Sequence, residues 1–222
     1  MLRRKPERSF VLLKNDGDFL PLKQKEKVAF IGPYADRKQM LGGWSFLGDP
    51  ADTVTVKEAA ETLAAGWNFT FSKGCPVLDS ETRLVGFGKD SQESYTEQER
   101  EAMWKEACEA ARQADKVVLL LGEHYLQTGE ATSRGVLELP EVQQKLLKEI
   151  TSINPKTAVV LFNGRPLDLR LVRDNACAIL EAWMPGTEGG PALIRTLTGA
   201  CEPTGRLPMS FPYCVGQVPV HY

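Results

Sequence analysis

Two carboxylates, Glu123 and Glu130, and one cation, Arg134, fall in a single polar run, Glu123-His124-Tyr125-Leu126-Gln127-Thr128-Gly129-Glu130-Ala131-Thr132-Ser133-Arg134. A carboxyl group is a side chain that can move a proton. The run follows Lys116-Val117-Val118-Leu119-Leu120-Leu121, an unbroken apolar stretch of the kind that marks a strand covered on both faces. The polar run therefore leaves the carboxyl end of a buried strand, and open parallel sheets bind ligands in the crevice outside such ends. A glutamate in this loop therefore has a geometric claim to function, and Glu130 and Glu123 are the two candidates. The bland alternative for Glu130 is a solvated loop charge. His124 follows Glu123 and is close enough in sequence to reach the same cleft, although a lone histidine is more often structural.

The elements that must position this loop are legible from alternating apolar and amphipathic segments. Strands are predicted at Val28-Ala29-Phe30-Ile31-Gly32, Asn68-Phe69-Thr70-Phe71, residues 117–121, Thr157-Ala158-Val159-Val160-Leu161-Phe162 and Cys177-Ala178-Ile179-Leu180-Glu181-Ala182-Trp183. Thr55-x-x-Glu58 and Thr96-x-x-Glu99 have the spacing in which a hydroxyl and a carboxylate satisfy the free amides at a helix start. A third helix follows from Val142, Leu146 and Ile150, and a fourth is expected near Gly189-Gly190. Strand and helix repeated in this order give right-handed crossovers. The expected fold is α/β: a three-layer sandwich with a mostly parallel sheet of about five or six strands and helices on both faces.

Two stretches break the repeat. Residues 10–22 are two apolar arms around Asp16-Gly17 and read as a surface hairpin, a connector occupying residues 1–24. Residues 75–96 are polar and aperiodic, and read as a long surface excursion. Arg206-Leu207-Pro208-Met209-Ser210-Phe211-Pro212 is expected to add an edge strand, because its prolines would be costly inside a sheet.

Composition narrows the partners. The formal net charge of −2 over 222 residues, with no long Lys/Arg run, disfavours nucleic acid. No apolar stretch reaches the about 18 residues of a membrane span, and no signal-like segment follows the first residues. The chain as written reads as cytoplasmic, with no membrane partner. Five cysteines without a CxxC pair, and only His124 and His221 beside them, argue for a reducing compartment and against a structural metal. The turn Gly32-Pro33-Tyr34-Ala35-Asp36 lacks the glycine pattern that cradles a dinucleotide phosphate, so no cofactor is expected.

An ordered series of short motifs carries a family resemblance. Val11-Leu12-Leu13-Lys14-Asn15, Ile31-Gly32-Pro33, Gly42-Gly43-Trp44-Ser45, Gly122-Glu123, Glu130 with Ser133-Arg134, Asn163-Gly164-Arg165-Pro166-Leu167 and Glu181-Ala182-Trp183 come first. Pro185-Gly186-x-Glu188-Gly189-Gly190, residues 205–212 and Gly216-Gln217-Val218-Pro219 complete it. Each piece alone is weak, and the order makes the set specific. The chain resembles the C-terminal α/β-sandwich domain of glycoside hydrolase family 3, here residues 25–222, the family of many bacterial β-glucosidases and β-xylosidases.

The resemblance implies a retaining β-glycosidase acting on terminal non-reducing β-linked sugars, with a β-linked oligosaccharide or an aryl or alkyl β-glycoside as substrate. Retention needs two carboxyl groups about 5–5.5 Å apart, a nucleophile and an acid/base. In the family the nucleophilic Asp sits on an N-terminal (β/α)8 barrel, which is absent from this sequence, so the domain is expected to be inactive alone. Glu130 aligns with the acid/base. Trp44 would lay an aromatic face beside the sugar in the leaving-group subsite, its alternative being an ordinary partly buried Trp. Arg134 would order the Glu130 loop or contact substrate, and Asn163-Gly164-Arg165 would hold loop architecture. The competing function is a non-catalytic carbohydrate-binding or interaction module.

Overall fold

The structure, a computed structural model, describes residues 6–45, 47–82, 84 and 93–221. Among these residues six strands form one sheet: β1 (Val11–Asn15), β2 (Lys27–Ile31), β3 (Asn68–Ser72), β4 (Lys116–Gly122), β5 (Thr157–Phe162) and β6 (Ala178–Glu181). Their spatial order is β1-β6-β5-β4-β2-β3. Every pairing is parallel except that of β1 with β6. Among the described residues five α-helices cover it, α1 (Val56–Leu63), α2 (Glu97–Gln113), α3 (Glu141–Ile153), α4 (Arg170–Asn175) and α5 (Gly189–Leu197).

Alternation along the strands divides the core into two layers. Val28, Phe30, Val118, Leu120, Val160 and Phe162 meet α1 and α5 on one face, through Val56, Ala59, Leu193 and Leu197. Ala29, Ile31, Leu119, Leu121, Val159 and Leu161 meet α2, α3 and α4 on the other, through Ala107, Ala111, Leu146, Ile150 and Val172. The sandwich is thus three layers deep. Both anticipated capping boxes form: Thr55 Oγ1 accepts from Glu58 N at 3.1 Å, and Thr96 Oγ1 from Glu99 N at 3.3 Å, with each glutamate returning to its threonine amide.

Residues 10–22 correct the hairpin expectation. The first arm is β1, paired with β6 rather than with its own second arm. Pro21 has no N–H to give a ladder, and the Asn15 side chain takes both backbone groups of Leu20, with Leu20 N donating to Oδ1 at 2.9 Å and Nδ2 donating to Leu20 O at 3.1 Å. Phe19, Leu20 and Leu22 then turn into the core. The edge strand expected at 206–212 does not form either. Gly205 N reaches Phe10 O at 2.9 Å, but Pro208 and Pro212 lack donors and the segment continues as coil. Of the excursion at 75–96, residues 83 and 85–92 lie outside the described residues, while Cys75, Val77 and Leu78 are buried against the core instead of lying on the surface. The short α4 was not anticipated.

The strand order places the loops. Among the parallel strands, connections from β2 run to one side through β3 and those from β4 run to the other through β5 and β6. The direction of winding reverses between β2 and β4. The loops that leave their carboxyl ends, carrying Trp44 and Glu130, therefore flank the crevice where ligands bind in open α/β sheets.

Candidate functional site

The floor of the crevice is set by close backbone approach. Gly32, at φ +135°, ends β2 where a Cβ would lie 2.3 Å from Leu120 O, and Gly122 ends β4 where one would lie 1.9 Å from Phe162 O. Gln143, wholly buried on α3, closes the end of β4 by accepting from Gly122 N and donating to Gly122 O, each at 2.8 Å. The buried Tyr34 hydroxyl donates to the backbone carbonyl of Glu123, and its ring stacks on Phe162 with centroids 4.4 Å apart. Burial raises the Tyr34 hydroxyl pKa, so it remains a donor.

The two carboxylates of the polar run have opposite environments. Glu130 is exposed, between Gly129 at φ +106° and Ala131 at φ +59°. Glu123 is 0% exposed. Its Oε1 accepts from Arg134 Nη1 at 2.5 Å and lies 3.4 Å from Arg165 Nε, and its Oε2 accepts from Gly164 N at 3.3 Å. Burial raises the Glu123 pKa, while the Arg134 and Arg165 cations and the Gly164 amide oppose it.

Arg134 thus faces inward to Glu123 and also donates from Nη2 to Glu138 O at 3.1 Å. His124 is buried and caps a 3-10 turn, Tyr125–Gln127, with Nδ1 accepting from Leu126 N at 3.3 Å. Trp44 is 62% exposed and is not a core residue. A Cβ on Gly129 would stand 3.5 Å from Trp44 Nε1, and one on Gly43 would stand 2.9 Å from Thr128 O. The Gly42-Gly43-Trp44 loop is therefore seated on the loop that holds Glu130.

Sequence reasoning missed Glu181. It is 0% exposed at the end of β6, with Oε1 accepting from Trp183 N at 2.8 Å and Oε2 from Asn163 Nδ2 at 3.1 Å. Burial pushes its pKa up to about 8, against those two hydrogen bonds and with help from the charge of Glu123. A glutamate interrupting the apolar run Ala178-Ile179-Leu180-Glu181-Ala182 was the available signal. Trp183 adopts φ +57°, which ends β6 two residues before the predicted boundary.

Residues 10–222 match the sequence profile of the glycosyl hydrolase family 3 C-terminal domain. The chain is 38% identical over 218 residues to a periplasmic beta-glucosidase of Salmonella typhimurium, covering 96% of this chain and 28% of that protein. It is 34% identical over 226 residues to a beta-xylosidase of Formosa agariphila, covering 97% of this chain and 28% of the relative. The crystal structure of beta-glucosidase from Listeria innocua in complex with isofagomine superposes with a TM-score of 0.79 at 33% identity, covering 98% of this chain and 27% of that one. The chain spans little more than a quarter of the length of these relatives.

Proposed function

The chain belongs to the glycosyl hydrolase family 3 C-terminal domains, and from that premise we propose that it supplies the acid/base carboxylate, Glu130, to a retaining β-glycosidase whose nucleophilic Asp lies on a barrel domain outside this sequence. The observation that carries the choice is the contrast between the two carboxylates. Glu130 stands exposed at the switch point of the sheet, beside Trp44, where a second surface can approach it. Glu123 is buried and held by two arginines, and so is unavailable to a glycosidic oxygen. In the first half-reaction Glu130 protonates the leaving oxygen while the nucleophile attacks the anomeric carbon, and in the second it takes a proton from water. The exposed indole of Trp44 offers a flat apolar face to the C–H face of the sugar being expelled. The substrates are glycosides with a terminal non-reducing β-linked sugar, as the names of the relatives suggest.

The test is Glu130→Gln in a protein that joins this chain to such a barrel. Loss of the proton donor should cost a substrate with a poor leaving group about 10²–10⁴-fold in rate, and a p-nitrophenyl glycoside far less in its first step. Equal losses on both substrates would reject Glu130 as the acid. The exposed Trp44 would equally suit a non-catalytic sugar-binding module. Saturable binding of a β-linked disaccharide by the chain alone, unaltered by Glu130→Gln and lost in Trp44→Ala, would favour that reading.

A further inference from the structure

Glu130 has no strand or helix of its own to direct it, so something else must fix the loop. Arg165, from the turn after β5, reaches across to that loop. Its Nη2 donates to Gln127 O and to Thr132 O, the latter at 2.9 Å, so one guanidinium holds the backbone on both sides of Glu130. Thr132 Oγ1 closes the span by donating to Gly129 O at 2.5 Å. Arg134 holds the next stretch through Glu138 O. Both guanidiniums converge on Glu123 Oε1, while Gly164 N fixes the other carboxylate oxygen. The Arg134 and Arg165 side chains keep only 17% and 22% of their surface exposed, and Glu123 keeps 0%. In so screened a place a carboxylate with two cationic partners is costly to leave half paired.

We propose that Glu123 is a positioning residue: from beneath the loop its carboxylate locks Arg165 and Arg134 in the orientation that clamps residues 127–134, and so aims Glu130 out of the crevice. Its importance to catalysis rests on the reading of Glu130 above, whereas the clamp itself does not. Glu123 would touch no substrate and transfer no proton.

Hydrogen exchange on this chain tests the clamp directly. Glu123→Gln should speed exchange of the amides in residues 126–134 by about tenfold or more, since about 1.4 kcal/mol of lost local protection is a factor of ten. Exchange in α2 and α3 should stay within twofold of the parent. Glu123→Gln combined with Arg134→Gln removes both ends of the closest pair, so it serves if the single variant does not fold. It should loosen the same segment, because Arg165 still loses its anchor. Unchanged protection of residues 126–134 in the folded single or double variant would overturn the proposal. In a protein that includes the barrel, Glu123→Gln should lose more rate on a poor leaving group than on p-nitrophenyl, because a misdirected acid hurts most where protonation matters. A mere loss of folded protein would lower both rates alike, and that outcome too would overturn a positioning role. If Glu130→Gln itself shows no leaving-group dependence while the loop still loosens in Glu123→Gln, the acid/base reading fails and the clamp stands.

Discussion

At the residue scale, three glutamates near one end of the sheet are separated by environment rather than by chemistry. Glu130 is exposed, Glu123 is buried against two cations, and Glu181 is buried with hydrogen bonds and no cation among its described partners. The last has a thermodynamic signature. With its pKa pushed up from an ordinary 4.5 to about 8, Glu181 keeps its proton in the folded chain over a range where the unfolded chain releases it. Stability is therefore greatest below the unfolded value and falls as pH rises toward the folded value, by up to about 1.4 kcal/mol per pH unit. Glu181→Gln should carry a constant offset from its amide and lose that slope. Its stability relative to the parent should then improve by roughly 2–4 kcal/mol between pH 5 and pH 8 in urea titrations. Parallel curves for the two proteins would show that Glu181 titrates normally. Motifs flag all three, Glu181 through Glu181-Ala182-Trp183, but only Glu130 and its rival Glu123 were assigned chemistry from the sequence. The work of Glu123 was hidden, since Arg165 arrives from a different strand and no local spacing announces the contact.

At the element scale, the strands and long helices were readable because their signals are local. The two threonine caps, the apolar runs and the helical spacing of α3 all describe interactions within a few residues. Thr96→Ala should cost about 1 kcal/mol, measured as a shift of the urea midpoint at constant slope. A shift too small to resolve would mean that the first turn of α2 is held by packing alone. Gly32→Ala should cost more than about 1 kcal/mol, since the added Cβ meets Leu120 O at 2.3 Å and the backbone sits at φ +135°. What failed depended on distant partners. The arm at 10–15 looked like half a hairpin until β6 proved to be its neighbour, and the Asn15 side chain replaced the cross-strand bonds that Pro21 cannot make. The six-residue α4 is too short for a helical period to show, and residues 206–212 hold prolines where a ladder needs donors.

At the scale of the whole molecule, the reversal of winding between β2 and β4 brings together two loops that are far apart in sequence, one with the exposed Trp44 and one with Glu130. Among the described residues, the loops flanking that crevice offer the exposed Glu130 and a sugar-sized aromatic face, but retention requires a second carboxylate about 5–5.5 Å from the first. The chain alone should therefore unfold cooperatively and release no p-nitrophenol from aryl β-glycosides. Turnover near the about 1 s⁻¹ typical of slow enzymes would show that it holds a complete site. The central claim is that Glu130 serves as acid and then as base, and azide examines it most directly in a protein that joins this chain to a barrel of the kind proposed. In Glu130→Gln, an activated aryl glycoside should still glycosylate the nucleophile, and breakdown of that intermediate should stall without a base. Azide needs no base. Its addition should restore turnover and yield a glycosyl azide of retained configuration in Glu130→Gln, with no such rescue in Glu123→Gln. Rescue of Glu123→Gln, with Glu130→Gln left inert, would contradict the account.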